Sequence, residues 1–376
     1  VTVKFRTERD AFADAVAWAA RSLPPRPAVP VLAGLLLDVS AQRLSVSGFD
    51  YEVSAQVELN VDTTEGGRVL VPGRLLADIT RSLPAQPVDV ATDGARVTVT
   101  CGSSTFTLPT MPVDEYPTLP ELPAAAGTLG SDAFAAAVTS VAIAAGRDDT
   151  LPVLTGVRLE IEGDRLTLAA TDRYRLALRE VSWQPAKAGM SAVALVPART
   201  LADTARSLTT GAEVTLALAA DTGTPGEGMF GIVGGGRRTT TRLLEGEFPK
   251  YRSLLPTEFS ATATVDTAPL TEAVKRVALV AERNTPVRVS FAPGEAILEA
   301  GGGESAAARE SIDATFEGEA LTIAFNPQFL LDGLGSLDSD TAHLSFTGPA
   351  KPAVLTGKTN SADDYRYLLM PVRLSG

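Results

Sequence analysis

The sequence predicts an α+β protein built from three tandem, similar domains, and three observations predict it. The chain has 376 residues and is 45% hydrophobic, enough to fill more than one core. Stretches of one kind recur at about a third of its length. Within each third, runs with the alternation of strands stand beside runs with the period of amphipathic helices.

The clearest repeat is VLVPGRLLADITRSLP (69–84), ALVPARTLADTARSLT (194–209) and IAFNPQFLLDGLGSLD (323–338). Each is a β-type run, a proline at the turn and an amphipathic helix. Pro72, Pro197 and Pro327 lie 125 and 130 residues apart. Another helix precedes each copy, over 7–23, 130–146 and 266–282. Thr7, Ser131 and Thr267 are its expected N-caps, and Pro269 suits a first turn, where a missing N–H costs little. Between the two helices of each third lie PVLAGLLLDVSAQRLSVSGFD (30–50), PVLTGVRLEIEGDRLTLAATD (152–172) and PVRVSFAPGEAILEAGGGE (286–304), read as strand hairpins. VDEYPTLPELP (113–123) and EGEFPKYRSLLP (245–256) are acidic, aromatic and Pro-punctuated, as surface linkers are. They set the domains at 1–126, 127–256 and 257–376. The chain's last apolar run, DDYRYLLMPVRL, starts at the corresponding place in the last third, so it is expected to be fastened in a sheet rather than frayed.

Composition narrows the function. Cys101 and His343 are single residues of their type, which excludes an intrachain disulfide, thiolate metal clusters, His-based triads and imidazole metal sites. No metal and no cofactor are expected. No run approaches the roughly 18 apolar residues of a membrane span. VTVKFRTERD has no apolar signal-peptide core, so a cytoplasmic location is expected. GGGRRTTT (234–241) lacks the frame of a phosphate loop, and TGKT (356–359) has Pro352 where that loop needs its first glycine. Both read as hairpin turns, with a nucleotide-dependent enzyme as the alternative they would imply. Asp148 and Asp149 are adjacent and so point apart, which speaks against a shared metal.

The net charge is −12, with 27 arginines against 6 lysines. Net charge is an average, and a basic face can exist inside an acidic whole. Arg74 and Arg81, like Arg199 and Arg206, are seven residues apart, about two helical turns, and so share a face. Lys275, Arg276 and Arg283 repeat the pattern, while Arg26 and Arg147 follow the ends of earlier helices. Acidic residues dominate hairpins and linkers. That segregation suits a surface facing phosphates without reading sequence. Its bland counterpart is a solvated helix face, with arginines favoured near helix C-termini by the dipole.

Taken in order, RPAVPVL (26–32), LTG (154–156), ATDRYRLA (170–177), FPKYRSLLP (248–256), IAFNP (323–327) and YLLMPVRL (367–374) make the chain resemble the bacterial DNA sliding clamps, the beta subunits of the replicative polymerase. The resemblance covers the whole chain. It implies three clamp-type domains, with helices lining a ring and sheets outside. It further implies a homodimer that encircles duplex DNA and tethers the replicative polymerase, the clamp loader and other proteins bearing a clamp-binding motif. It implies a partner-peptide pocket formed by Leu154, Thr171, Leu176, Pro249, Leu254, Leu368, Met370, Pro371, Val372 and Arg373, rimmed by Arg173, Tyr174 and Arg175. Arg26 is expected at the DNA, with Arg147 nearby. Phe106 and Leu108 are expected to meet Leu279 and Val280 of the partner subunit. The chain departs from the family's pattern in three places. Leu151, Pro152 and Val153 stand where DNA-contacting tyrosines can occur, Ser253 where an arginine can occur in the pocket, and Arg173–Tyr174 replace a smaller pair. A variant clamp tolerant of pocket-binding inhibitors is therefore an alternative.

Overall fold

The computed structural model describes residues 2–208, 211–218, 228–281, 285–302, 305–357 and 364–373. Among the described residues six α-helices recur in pairs, as expected: α1 (Arg9–Ala19), α2 (Gly73–Ser82), α3 (Ser131–Ala142), α4 (Ala198–Ala205), α5 (Thr267–Val277) and α6 (Pro327–Gly335). The helix ends are set differently from the expectation. Thr7 closes the strand Lys4–Thr7, and α1 is capped by Glu8. Thr267 is already helical and hands its hydroxyl to the Ser339 carbonyl, so Asp266 holds the cap position. α6 is capped by a side chain: Asn326 Oδ1 accepts from the amides of Gln328 at 2.9 Å and Phe329 at 3.2 Å, with Pro327 in the first turn.

The described residues fall into two compact units, Val1–Asp132 with Arg206–Leu243, and Ala133–Ala205 with Leu244–Gly376. The middle third is thus shared between them. Sheet pairing gives the physical reason. Strand Arg237–Arg242 of the middle third pairs with strand Val53–Asn60 of the first, and strand Arg175–Ser182 pairs with strand Asp364–Leu369 of the last.

In the first unit, α1 and α2 are sandwiched by two antiparallel sheets. One runs Asp62–Glu65, Lys4–Thr7, Val88–Asp93, Arg96–Cys101 and Ser104–Pro109. The other includes Ala125–Gly130, Glu213–Leu218, Met229–Gly234, Arg237–Arg242, Val53–Asn60, Arg43–Phe49, Gly34–Ser40 and Gly67–Pro72, in that order. Phe12, Ala15, Val16 and Ala19 recur at helical spacing and bury one face of α1. They meet Leu35, Leu37 and Val46 from one sheet and Phe5, Val90 and Val99 from the other in one apolar cluster. GGGRRTTT is the turn expected, with Gly235 and Gly236 at φ of 60° and 75° joining two paired strands.

The second unit carries one long sheet, in the order Ser191–Pro197, Gly156–Glu162, Arg165–Thr171, Arg175–Ser182, Asp364–Leu369, Ala353–Thr356, Thr341–Phe346, Ala261–Asp266, Ala307–Glu317, Gly294–Gly301, Val287–Ala292 and Leu321–Phe325. Strand Ala307–Glu317 changes partners along its length. Residues 315–317 pair with Ala261–Asp266, whereas residues 307–314 pair with Gly294–Gly301. The other edge of 307–314 has no strand beside it among the described residues. Tyr367, Leu368 and Leu369 are each at most 2% exposed, so the terminal apolar run is a sheet strand, as the repeat predicted. Lys358 and Thr359 of TGKT lie outside the described residues. No helix is long and apolar enough to cross a membrane among the described residues.

Candidate partner-docking site

The site grows from the turn between strands Arg165–Thr171 and Arg175–Ser182. Asp172 Oδ1 accepts hydrogen bonds from the amides of Tyr174 and Arg175, both at 3.0 Å, and the Thr171 hydroxyl donates to the Arg175 carbonyl at 2.7 Å. This lock holds Arg173 at a φ of 80°, in the left-handed region that non-glycine residues seldom occupy. The first unit repeats the device, with Asp50 Oδ1 bonding the amides of Glu52 and Val53 and Tyr51 at a φ of 75°. In the second unit the turn sends Arg173 and Tyr174 outward and Arg175 inward.

Arg175 is 6% exposed and held by three side-chain partners. Its Nε donates to Asp172 Oδ2 at 3.0 Å, and its Nη1 donates to Asp332 on α6 and to the Tyr367 hydroxyl, the latter at 3.3 Å. The guanidinium also lies 4.4 Å from the centre of the Phe329 ring. Burial by itself would lower its pKa, but Tyr367, Asp332 and Asp172 together hold it above the ordinary arginine value, so the charge is permanent. The Tyr367 hydroxyl in turn donates a hydrogen bond to the Phe329 carbonyl at 2.8 Å.

Beside this network lies a cavity of about 730 Å³, walled by Leu154, Arg173, Tyr174 and Arg175 together with Arg147 and Phe329. The size suits a peptide or small-molecule guest. The Tyr174 ring stacks on Phe329 at 6.3 Å, with 26° between planes. Phe329 and Asp332 were not among the expected site residues. Their signal was available: they are three apart on the helix that follows the Asn-Pro cap, and so share a face.

The other expected pocket residues divide by exposure. Leu176 and Leu368 face each other in register and are buried with Phe248 and Tyr251 of the 245–256 linker. Thr171 and Leu154 are likewise buried. Accessible surface comes from Tyr174, Leu254 and Met370, at 62%, 49% and 41% exposure, with Ser253 and Arg373 also exposed and Pro249, Pro371 and Val372 half-buried. The terminal segment is held by its backbone: the Met370 amide donates to the Tyr174 carbonyl at 2.9 Å and the Val372 amide to the Ala324 carbonyl at 2.8 Å. Met370 therefore presents a soft side chain from a fixed main chain.

The first unit lacks this site although it repeats the strands. Phe49 occupies the place of Thr171, and a buried hydroxyl pair, Ser54 with Thr240, occupies the register of Leu176 with Leu368.

The basic residues are exposed but not equally available, and Arg26, Arg147 and Arg206 lie outside the helices, α4 ending at Ala205 so that Arg206 does not share its face with Arg199. Arg26, Arg74, Arg81, Arg147, Arg199, Arg206, Lys275 and Arg276 are all exposed, and Arg283 lies outside the described residues. Arg276 is held by Glu310 through two bonds of 3.0 and 2.6 Å, and Lys275 by Glu272 at 2.8 Å. Arg74 donates to the Pro24 carbonyl at 3.2 Å, while Arg199 is 95% exposed with Asp203 at 4.0 Å. Of the four expected interface residues, Leu279 is 84% and Phe106 36% exposed, and Val280 is half-buried. Leu108 is 1% exposed in the core of its own unit, because strand Ser104–Pro109 turns it toward the helices, and it is not free to meet a partner subunit.

Repeated pairs of helices on shared antiparallel sheets, with an accessible pocket beside a buried arginine network, describe a clamp-type docking scaffold. Family models for the DNA polymerase III beta subunit match the chain in order, the N-terminal domain over residues 3–120, the central domain over 128–250 and the C-terminal domain over 252–373. It is 61% identical over 378 residues to the beta sliding clamp of Streptomyces coelicolor, covering 100% of both chains. Identity to the beta sliding clamp homolog GriR of Streptomyces muensis is 47% over 375 residues, covering 99% of each. A Pseudomonas aeruginosa DnaN sliding clamp bound to griselimycin superposes with a TM-score of 0.92 at 28% identity, each chain covered completely. The chain belongs to the DNA polymerase III beta subunits, the beta sliding clamps, which are non-catalytic processivity factors working as dimers on DNA.

Proposed function

We propose that this clamp holds duplex DNA by enclosure in a homodimeric ring and tethers polymerase, loader and other replication partners through the pocket beside Arg175. The observation that carries the reading is the terminal segment, whose main chain is pinned at Met370 and Val372 while the Met370 side chain stays accessible. An apolar, adaptable edge over a rigid floor suits short peptides with aliphatic and aromatic anchors. Leu154, Thr171, Leu176 and Leu368 form the floor. Tyr174, Pro249, Ser253, Leu254, Met370, Pro371, Val372 and Arg373 border it, with Arg173 at its rim.

Arg26, Arg74, Arg81, Arg147, Arg199 and Arg206 face the DNA, with Lys275 and Arg283 as further contacts. Arg276 contributes less because Glu310 already neutralises it. Contacts of this kind exchange readily along a duplex, as sliding requires. Phe106 against the partner subunit's Leu279 and Val280 supplies the apolar part of the ring interface. The open edges of 104–109 and 307–314 are suited to extend the sheets across it. The repeats 1–126, 127–256 and 257–376 are the functional domains, and the cytoplasm is the location its work on chromosomal DNA requires. Higher identity to the S. coelicolor clamp than to GriR favours an ordinary clamp over an inhibitor-tolerant variant.

Loading onto nicked circular DNA with a compatible loader tests enclosure. Retention on circles and loss after linearisation are expected. Equal retention on both forms would mean the protein binds DNA without surrounding it.

A further inference from the structure

We propose that the first unit carries a second docking site, a polar groove over the sheet that accepts an arginine side chain from a partner polypeptide. The groove has a volume of about 720 Å³ and lies on the face of the sheet turned away from α1, since Leu35, Leu37 and Val39 point to the core and Leu36, Asp38 and Ser40 to the groove. The segment 113–119 forms one of its walls.

The internal repeat identifies the guest. Strands Gly34–Ser40 and Gly156–Glu162 are equivalent, which puts Asp38 in the place of Glu160. In the second unit Glu160 is almost fully enclosed by donors: Arg158 Nε at 2.6 Å, Arg252 Nη2 at 2.6 Å and the Tyr251 hydroxyl at 2.9 Å. In the first unit the carboxylate remains and the guanidinium donors are gone. Leu36 replaces Arg158, and with Glu-Tyr-Pro (115–117) aligned on Glu-Phe-Pro (247–249), Pro120 stands in the place of Arg252. Leu119 stands in the place of Tyr251, and Tyr116, the counterpart of Phe248, is 7% exposed, its hydroxyl facing the Phe49 amide without closing a hydrogen bond. Asp38 keeps one distant partner, Arg68 at 3.7 Å, and its side chain is 45% exposed.

The charge balance agrees. Asp38, Glu58 and Asp114 oppose Arg43 and Arg68 around the groove, leaving one net negative charge, and Arg43 is drawn to Glu58 at 3.4 Å. A carboxylate with free lone pairs takes a guanidinium in a bidentate fork, which an ammonium cannot match. The second unit fills the equivalent position with Arg252, carried on the short 3-10 turn Tyr251–Leu254. The first unit presents the same floor without a resident arginine.

Saturation-transfer NMR on the full-length dimer tests this, with N-acetyl-arginine amide as probe and N-acetyl-citrulline amide as the uncharged isostere. Transfer to the arginine probe and at least a fivefold weaker signal from citrulline are expected. Asp38→Asn should remove the arginine signal. So should Pro117→Arg, which sets a guanidinium in the groove's own wall, and this variant should also melt no lower than the parent protein. Met370→Ala should leave the signal unchanged. Equal transfer to citrulline, or a signal that survives both Asp38→Asn and Pro117→Arg, would overturn the proposal.

Discussion

Arg175 shows how one side chain can organise a site without touching its guest's chemistry. It ties the 172–175 turn to α6 and to Tyr367, and it does so from a buried position. Removing Asp332 leaves Asp172 as the one carboxylate against the buried guanidinium, at a cost below the roughly 3–5 kcal/mol of a fully broken buried pair. Asp332→Ala should therefore lower the thermal midpoint and weaken partner-peptide binding together, read by calorimetry and fluorescence titration; weakened binding at unchanged stability would mean Asp332 meets the peptide directly. Glu160 gives a pH counterpart. Burial would raise its pKa, but hydrogen bonds from Arg252, Arg158 and Tyr251 outweigh that and hold it below the ordinary carboxylate value. A lowered folded-state pKa adds stability that is fully present above the unfolded-state value, about 4.3, and is lost as pH falls through the folded value. Glu160→Gln should thus flatten the fall in melting temperature below about pH 4.3, and an unchanged slope there would assign that fall to other carboxylates.

At the scale of elements, much was legible because strands and helices carry their periods openly. The three Pro-punctuated repeats located α2, α4 and α6, and the 125- and 130-residue spacing predicted the pairing of helices in every third. The terminal YLL run read correctly as a strand. Helix caps were less legible: Thr7 looked like a cap but belongs to the preceding strand, since a β-branched residue serves either place. Leu108 was misplaced for a similar reason, because a local pattern of alternation does not say which face meets the core. The Arg175–Asp332 link spans 157 residues, and no periodicity reports a contact made only by tertiary folding. One experiment separates two elements. Leu279→Asp should yield monomers in size-exclusion light scattering, whereas Met370→Ala should leave dimers intact and weaken partner-peptide binding about tenfold, or roughly 1.4 kcal/mol. Dimer loss in Met370→Ala would make the terminal segment an assembly element instead.

For the whole molecule, three sequence repeats have become two compact units, because the sheets run on from one third into the next. Such continuity suits a part that must keep its form under load from a moving polymerase. It also shows duplication followed by divergence. At the turn where the second unit leaves room above Thr171, the first unit has Phe49, and its Ser54–Thr240 hydroxyl pair bonds where two leucines offer grease. The consequence is one of valency. Each chain displays a single socket of this kind among its described residues, so a dimer offers two of them, and clients that need this socket compete for it. Order among polymerases, loader and repair proteins on one clamp then becomes a matter of queueing, settled by local concentration and by how quickly each leaves.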